Sequence, residues 1–351
     1  MRKSIALLLA LVLALGTGAL SLAEGGTYEI ALVTDVGNID DRSFNQASWE
    51  GVVEFATDNG LSHSYYQPSE DSDLSREETM RSAIDKGAKV IVLPGFLFAT
   101  SASVIAKEFP DVQILLVDTT PVDPDLPNIY SVLYQEEQSG FFAGYAAVKD
   151  GYKKMGFLGG MAVPAVVRYG HGFVQGAEYA AQEMGVTDVE IKYWYCGGFG
   201  PTDDIKIKMS GWATEGTEVV FACGGGIVFS ALLAADEADT LVIGVDVDQS
   251  NLSPRIITSA MKHLKNSVMV ALTQLYDNGV VWGELGGAVA VLGAKDNDVG
   301  LPTEPDSWRL KTFTVDEYNA LYEKVVAGEI EISDDVENTP AVTNVTVDYQ
   351  E

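Results

Sequence analysis

Short apolar runs alternate with longer amphipathic ones along most of this chain, and that alternation leaves few folds open. The apolar runs fall at 30–33, 64–66, 90–93 and 114–117, then at 155–158, 191–195, 219–222 and 241–245. Between them, 76–86, 101–108, 167–184, 205–213 and 227–235 carry helical patterning. Short strands separated by helices read as βαβ units around a parallel sheet. The second set of runs also echoes the first: VIVLPG at 90–95 matches VVFACGG at 219–225, and LLVDTT at 115–120 matches IGVDVD at 243–248. The expectation is two related α/β lobes, each a doubly wound parallel sheet, with a ligand enclosed between their facing carboxyl edges. The boundaries read from the pattern are 24–133 plus 255–315 for one lobe and 134–254 plus 316–351 for the other. The acidic stretch beyond Glu329 has no assigned place.

The amino terminus carries Arg2 and Lys3, an apolar stretch over 5–15 and Ser21-Leu22-Ala23 before Glu24. Residues 1–23 therefore read as a secretory signal peptide, giving an exported protein that starts near Glu24. No cysteine stands at that junction, so a lipid anchor is not expected. The net charge of −29 argues against nucleic acid, which needs a basic face, and against an anionic membrane surface. Cys196 and Cys223 each follow a predicted strand, and whether they pair stays open because disulfide geometry is strict. His63, His171 and His263 lack the spacing of a metal site, and no cofactor is expected. Neither a Gly-x-Ser-x-Gly elbow nor a phosphate-binding loop is present.

Polar residues that no core requires concentrate at 34–49, where the strand ending at Val33 runs through Asp35, Gly37, Asp40, Asp41 and Ser43 into a helix beginning near Phe44 and Asn45. Asp41 or Ser43 could simply cap that helix. That reading leaves Asp35, Phe44 and Asn45 unexplained. Further candidates stand at other carboxyl strand ends: Asp118, Phe199, Asp246, Asp248 and Lys262. Carboxylates accept hydrogen bonds from vicinal hydroxyls, an amide both donates and accepts, and aromatic faces stack on planar rings. Each residue alone has a bland alternative, a core phenylalanine or a capping aspartate. Together they suit a sugar carrying a heteroaromatic base.

The run TDVGNIDDRSFNQASWEG at 34–51 resembles the signature of the basic membrane protein family, the solute-binding components of ABC-type nucleoside importers. YQEEQSGFFAGYAA at 134–147, MGFLGGMAVPAVVRYGHGFVQG at 155–176, GVDVDQ at 244–249 and ITSAMKHL at 257–264 resemble it in the same order. The resemblance implies a type I periplasmic-binding-protein fold, two lobes joined by a three-strand hinge. It implies that Phe44 and Phe199 stack on the two faces of a base, and that Asn45 and Asp118 read the base edge. Asp246 and Lys262 would bind the ribose hydroxyls, Lys262 keeping Asp246 ionised, while Asp35 and the backbone near Gly225 complete the pocket. It further implies a monomer that passes a nucleoside, purine favoured, to an ABC permease in the inner membrane from the periplasm. Riboflavin binding, nucleoside sensing and, more distantly, nucleoside chemistry are the alternatives. Cys196-Gly197-Gly198-Phe199 and Gly224-Gly225-Gly226 depart from the family's turns, which leaves the part played by Phe199 open.

Overall fold

The structure, a computed structural model, describes residues 28–350; the expected signal peptide lies outside them. The first lobe is built from β1 (Ile30–Val33), α1 (Phe44–Asp58), β2 (His63–Tyr66), α2 (Asp73–Asp85), β3 (Val90–Pro94), α3 (Ala99–Glu108), β4 (Gln113–Val117) and β5 (Ile129–Tyr134). The chain then crosses to the second lobe through α4 (Glu136–Lys149), β6 (Lys154–Gly159), α5 (Pro164–Met184), β7 (Val189–Tyr195), α6 (Asp203–Thr214), β8 (Val219–Cys223), α7 (Ile227–Ala238), β9 (Leu241–Asp246) and β10 (Ile256–Lys262). It returns with α8 (Leu264–Asp277) and β11 (Val289–Leu292), and finishes in the second lobe with β12 (Val299–Gly300), α9 (Val315–Val326) and β13 (Val345–Gln350).

The strand order is β11-β5-β4-β3-β1-β2 in one sheet and β12-β10-β9-β8-β6-β7-β13 in the other. Within each, five successive strands take the same order, second-first-third-fourth-fifth, so the internal echo in the sequence is an echo in topology. Among the described residues only the pairing of β10 with β12 is antiparallel. β1, β3, β4 and β8 are buried at every residue, as strands covered by helices on both faces must be.

One feature departs from the boundaries read in the sequence. β10 pairs with β9, Ala260 beside Val245, so it closes the second sheet rather than joining the first lobe, and β12 stays with it. The crossing comes one element later, at His263, and α8 then packs on α1. The acidic tail ends as β13, parallel to β7 from Val345 beside Val189. Glu178 on α5 fixes its approach, with carboxylate oxygens that accept the backbone N–H groups of Thr343 at 3.0 Å and Val345 at 2.9 Å.

Candidate ligand-binding cleft

Each lobe contributes an aspartate at the carboxyl end of its fourth strand. Asp118 follows β4 with φ 65°, and Asp246 ends β9 with φ 64°. This left-handed conformation is one that aspartate tolerates better than most side chains. The two halves of the chain thus make the same turn and aim the same carboxyl group at the space between them. That space is a cleft between the lobes. It is lined by all eight residues expected to form a site: Asp35, Phe44, Asn45, Asp118, Phe199, Gly225, Asp246 and Lys262. Asp248 is not among them. It turns away to accept the Ser250 backbone N–H at 2.9 Å and the Ser307 hydroxyl.

The turn at 35–45 organises the first lobe's share. Asp41 takes the backbone N–H groups of Ser43 and Asn45, both at 2.9 Å, and of Gln46 at 3.1 Å. These are the free donors of the first turn of α1, and a carboxylate there also meets the positive end of the helix. Asp35 accepts the Gly37 N–H at 2.8 Å and lies 3.4 Å from Asn45 Nδ2. Burial pushes the Asp35 carboxyl up to about 6 against these hydrogen bonds. Ser43 departs from its expected capping role. Its hydroxyl makes no cap but donates across the cleft to Asp246 Oδ2 at 2.6 Å. Gln249 Nε2 donates to the Arg42 carbonyl at 3.0 Å, a second bond between lobes, so the two halves are closed on one another.

Lys262 occupies the junction. Its ammonium pairs with Asp118 Oδ2, lies 3.2 Å from Glu136 Oε1 and stands 3.8 Å from Asp246 Oδ1. The rings of Phe44, Tyr134 and Tyr169 close over it at 4.8, 5.2 and 5.6 Å. Burial alone would discharge this amine, yet three carboxylates outweigh it and hold the group charged, above its ordinary value. Glu136 follows the same logic in reverse: burial raises it, but Lys262 and Arg168 win and keep it below the usual range. For Asp118 and Asp246 burial prevails over Lys262, and both carboxyls sit above theirs. Lys262 favours the ionised form of Asp246, as expected of it, while burial opposes it.

Cys223 also lines the cleft, as do Tyr169, Phe96, Leu97 and Val163, which were not singled out in the sequence. Val163 and Tyr169 lie in the stretch at 155–176, but only the fold shows that they face the cleft. Phe199 reaches the cleft beside Gly160, where any Cβ would lie 2.5 Å from its ring. Gly225 has φ 58°, which suits a residue without Cβ. Cys196 and Cys223 are both free thiols. β6 runs between them, Gly159 pairing with Tyr195 on one side and Cys223 on the other. Two strand spacings separate them, about 9–10 Å, more than a disulfide spans.

A family profile described as ABC transporter substrate-binding protein, PnrA-like, matches residues 29–336. The ABC transporter nucleoside-binding protein BmpA of Lactococcus lactis subsp. cremoris is 33% identical over 235 residues, covering 63% of this chain and 64% of that protein. Basic membrane protein B of Borreliella burgdorferi is 29% identical over 297 residues, with coverages of 78% and 80%. Among solved structures, an ABC transporter solute-binding protein from Aeropyrum pernix K1 superposes with a TM-score of 0.76 at 23% identity, over 88% of this chain and 94% of that one. Another from Conexibacter woesei gives 0.67 at 21% identity, over 87% and 99%. At these identities the structural likeness establishes the type I periplasmic-binding fold.

Proposed function

The chain belongs to the PnrA-like family of ABC transporter substrate-binding proteins, and from that premise we propose that it captures a nucleoside, purine favoured, between its lobes and delivers it to a membrane permease. One observation carries this reading. An aromatic side chain from each lobe, Phe44 and Phe199, shares a cleft with two buried acceptor atoms, Asn45 Oδ1 and Asp118 Oδ1, that form no hydrogen bond within the protein. A buried polar atom without a partner is costly, and a ligand that offers N–H or O–H groups relieves it. A planar base with donors on its edge suits Asn45 and Asp118, and its faces suit the two phenylalanines. Ribose hydroxyls suit Asp246, with Lys262 beside it and Asp35 on the opposite wall.

No covalent chemistry is part of this function. The protein acts as an exported periplasmic monomer, closing when the ligand bridges both lobes, since only the closed form makes every contact. Nucleic acid is not a partner, because a net charge of −29 offers no basic face. No described helix is long and apolar enough to cross a membrane, so transport requires a separate permease. A strain lacking this chain is expected to lose most uptake of radiolabelled inosine at low external concentration and to regain it on complementation. Unchanged uptake would remove the permease from the account.

A further inference from the structure

Behind Lys262, outside the cleft lining, stands a second layer of charge. Glu136 opens α4 directly after the first crossing between lobes and is fully buried, at 0% exposure. Its two oxygens serve two cations: Oε1 faces Lys262 Nζ at 3.2 Å, and Oε2 accepts from Arg168 Nε at 2.6 Å. Arg168 sits on α5, also 4.0 Å from Glu137 Oε2. The Lys262 ammonium donates hydrogen bonds to one carboxylate from the first lobe, Asp118, and one from the hinge, Glu136, and stands 3.8 Å from a third in the second lobe, Asp246. Three aromatic rings close the remaining directions. Lys262 has a single place to be, and Glu136 supplies the only one of those three carboxylates that does not line the cleft.

We propose that Glu136, clamped by Arg168, is a positioning residue for the cleft: it fixes the Lys262 ammonium where the lobes meet, and its own buried charge biases the charge with which Asp118 meets the ligand. The proposal rests on the nucleoside reading for the ligand's identity alone. The charged groups facing Asp118 are Lys262, Glu136 and Asp246, with Arg168 behind them; Tyr134, Tyr169 and Cys223 surround it as neutral groups. Lys262 and Arg168 favour the Asp118 carboxylate, whereas Glu136, Asp246 and burial oppose it. Glu136 holds Lys262 from behind and repels charge on Asp118, so Asp118 keeps a proton to higher pH than its pairing with Lys262 alone would allow.

Neutralising the two members of the clamp therefore has opposite consequences. In Glu136→Gln a repelling charge is gone and the Asp118 midpoint falls. In Arg168→Gln an attracting charge is gone and the midpoint rises. The test is a carbon-13 NMR titration of the Asp118 side-chain carboxyl in ligand-free protein, alongside inosine affinity by calorimetry between pH 5.5 and 8.5. The expected shifts are about one pH unit in each direction, at the low end for a nearby charge, with the inflection of the affinity profile following them. Full exposure of Asp118 on unfolding lowers its midpoint, so a rise in Arg168→Gln, read in protein whose urea midpoint and circular dichroism match the parent, decides the matter even should Glu136→Gln fail to fold. Midpoints that do not move, or that move the same way in both variants, would overturn the proposal. NMR midpoints that shift as expected in a parent that binds no inosine would uphold the clamp and refute the nucleoside reading instead.

Discussion

Replacing Lys262 with methionine is expected to destabilise the protein by about 3–5 kcal/mol at pH 8, the usual loss when one partner of a buried ion pair is removed. Methionine matches the length and most of the volume of the lysine stem, so little of this is a cavity effect. What remains is three carboxyls, Asp118, Glu136 and Asp246, facing a point from which their shared cation has gone. The pH dependence identifies the cause. Without the ammonium, the folded-state values of all three acids rise, those of Asp118 and Asp246 further above their unfolded ones and that of Glu136 from below its own, so the folded state holds protons more tightly than before. Such groups burden the folded state once pH exceeds their raised values. The burden disappears as pH falls toward about 4, where unfolded carboxyls also take up protons. Urea unfolding at pH 5 and pH 8 should show a deficit that shrinks markedly at the lower pH. An equal deficit at both would mean that Lys262 contributes through packing and not through charge.

The second large effect is expected far from the cleft mouth, where α4 and α5 lie side by side. Gly140 and Gly144 on one helix and Gly172 and Gly176 on the other bring the two backbones together. A Cβ at Gly144 would stand 2.0 Å from the Phe173 carbonyl oxygen, and one at Gly176 would stand 2.0 Å from that of Phe141. Glycine inside an exposed helix is normally worse than alanine by about 1 kcal/mol, so Gly144→Ala would stabilise a helix that stood free. Here the sign reverses, because the obstruction is backbone and cannot rotate away. Gly144→Leu is expected to lower stability by more than about 3 kcal/mol, the upper range for overpacking, and to weaken ligand binding as well. Glu136, Arg168 and Tyr169 all ride on these two helices. A thermal midpoint within about 2 °C of the parent would show that the helices can separate freely.

How much of this was legible in the sequence depends on how local the cause is. β1 and β4 are continuous apolar runs closed by polar turns, and short-range pattern suffices for them. Asp118 and Asp246 were legible for a different reason, because the two halves repeat and the same aspartate ends the same strand in each. The lobe to which β10 belongs was not. An apolar strand fits either sheet, and only its pairing with β9 decides. β13 was hidden because its partner β7 lies far away in the chain, and the carboxylate that anchors it, Glu178, looks like any helix-surface acid. Ser43 shows the limit most clearly. Its position before α1 fits a cap, yet its hydroxyl partner is Asp246, 203 positions away. Glu136 and Arg168 were present in recognisable stretches at 134–147 and 155–176, but nothing local says that one carboxylate joins them to Lys262.

The central claim is that this cleft holds a nucleoside between two aromatic side chains and a buried set of polar groups. Calorimetric titration with inosine, of protein unfolded to release any retained ligand and then refolded, tests it most directly. The account predicts saturable binding of one nucleoside per chain, weakened by roughly 1–3 kcal/mol in Phe44→Ala, the usual loss of one aromatic–base stack. Absence of binding by any nucleoside, or identical affinity with and without the Phe44 ring, would contradict it.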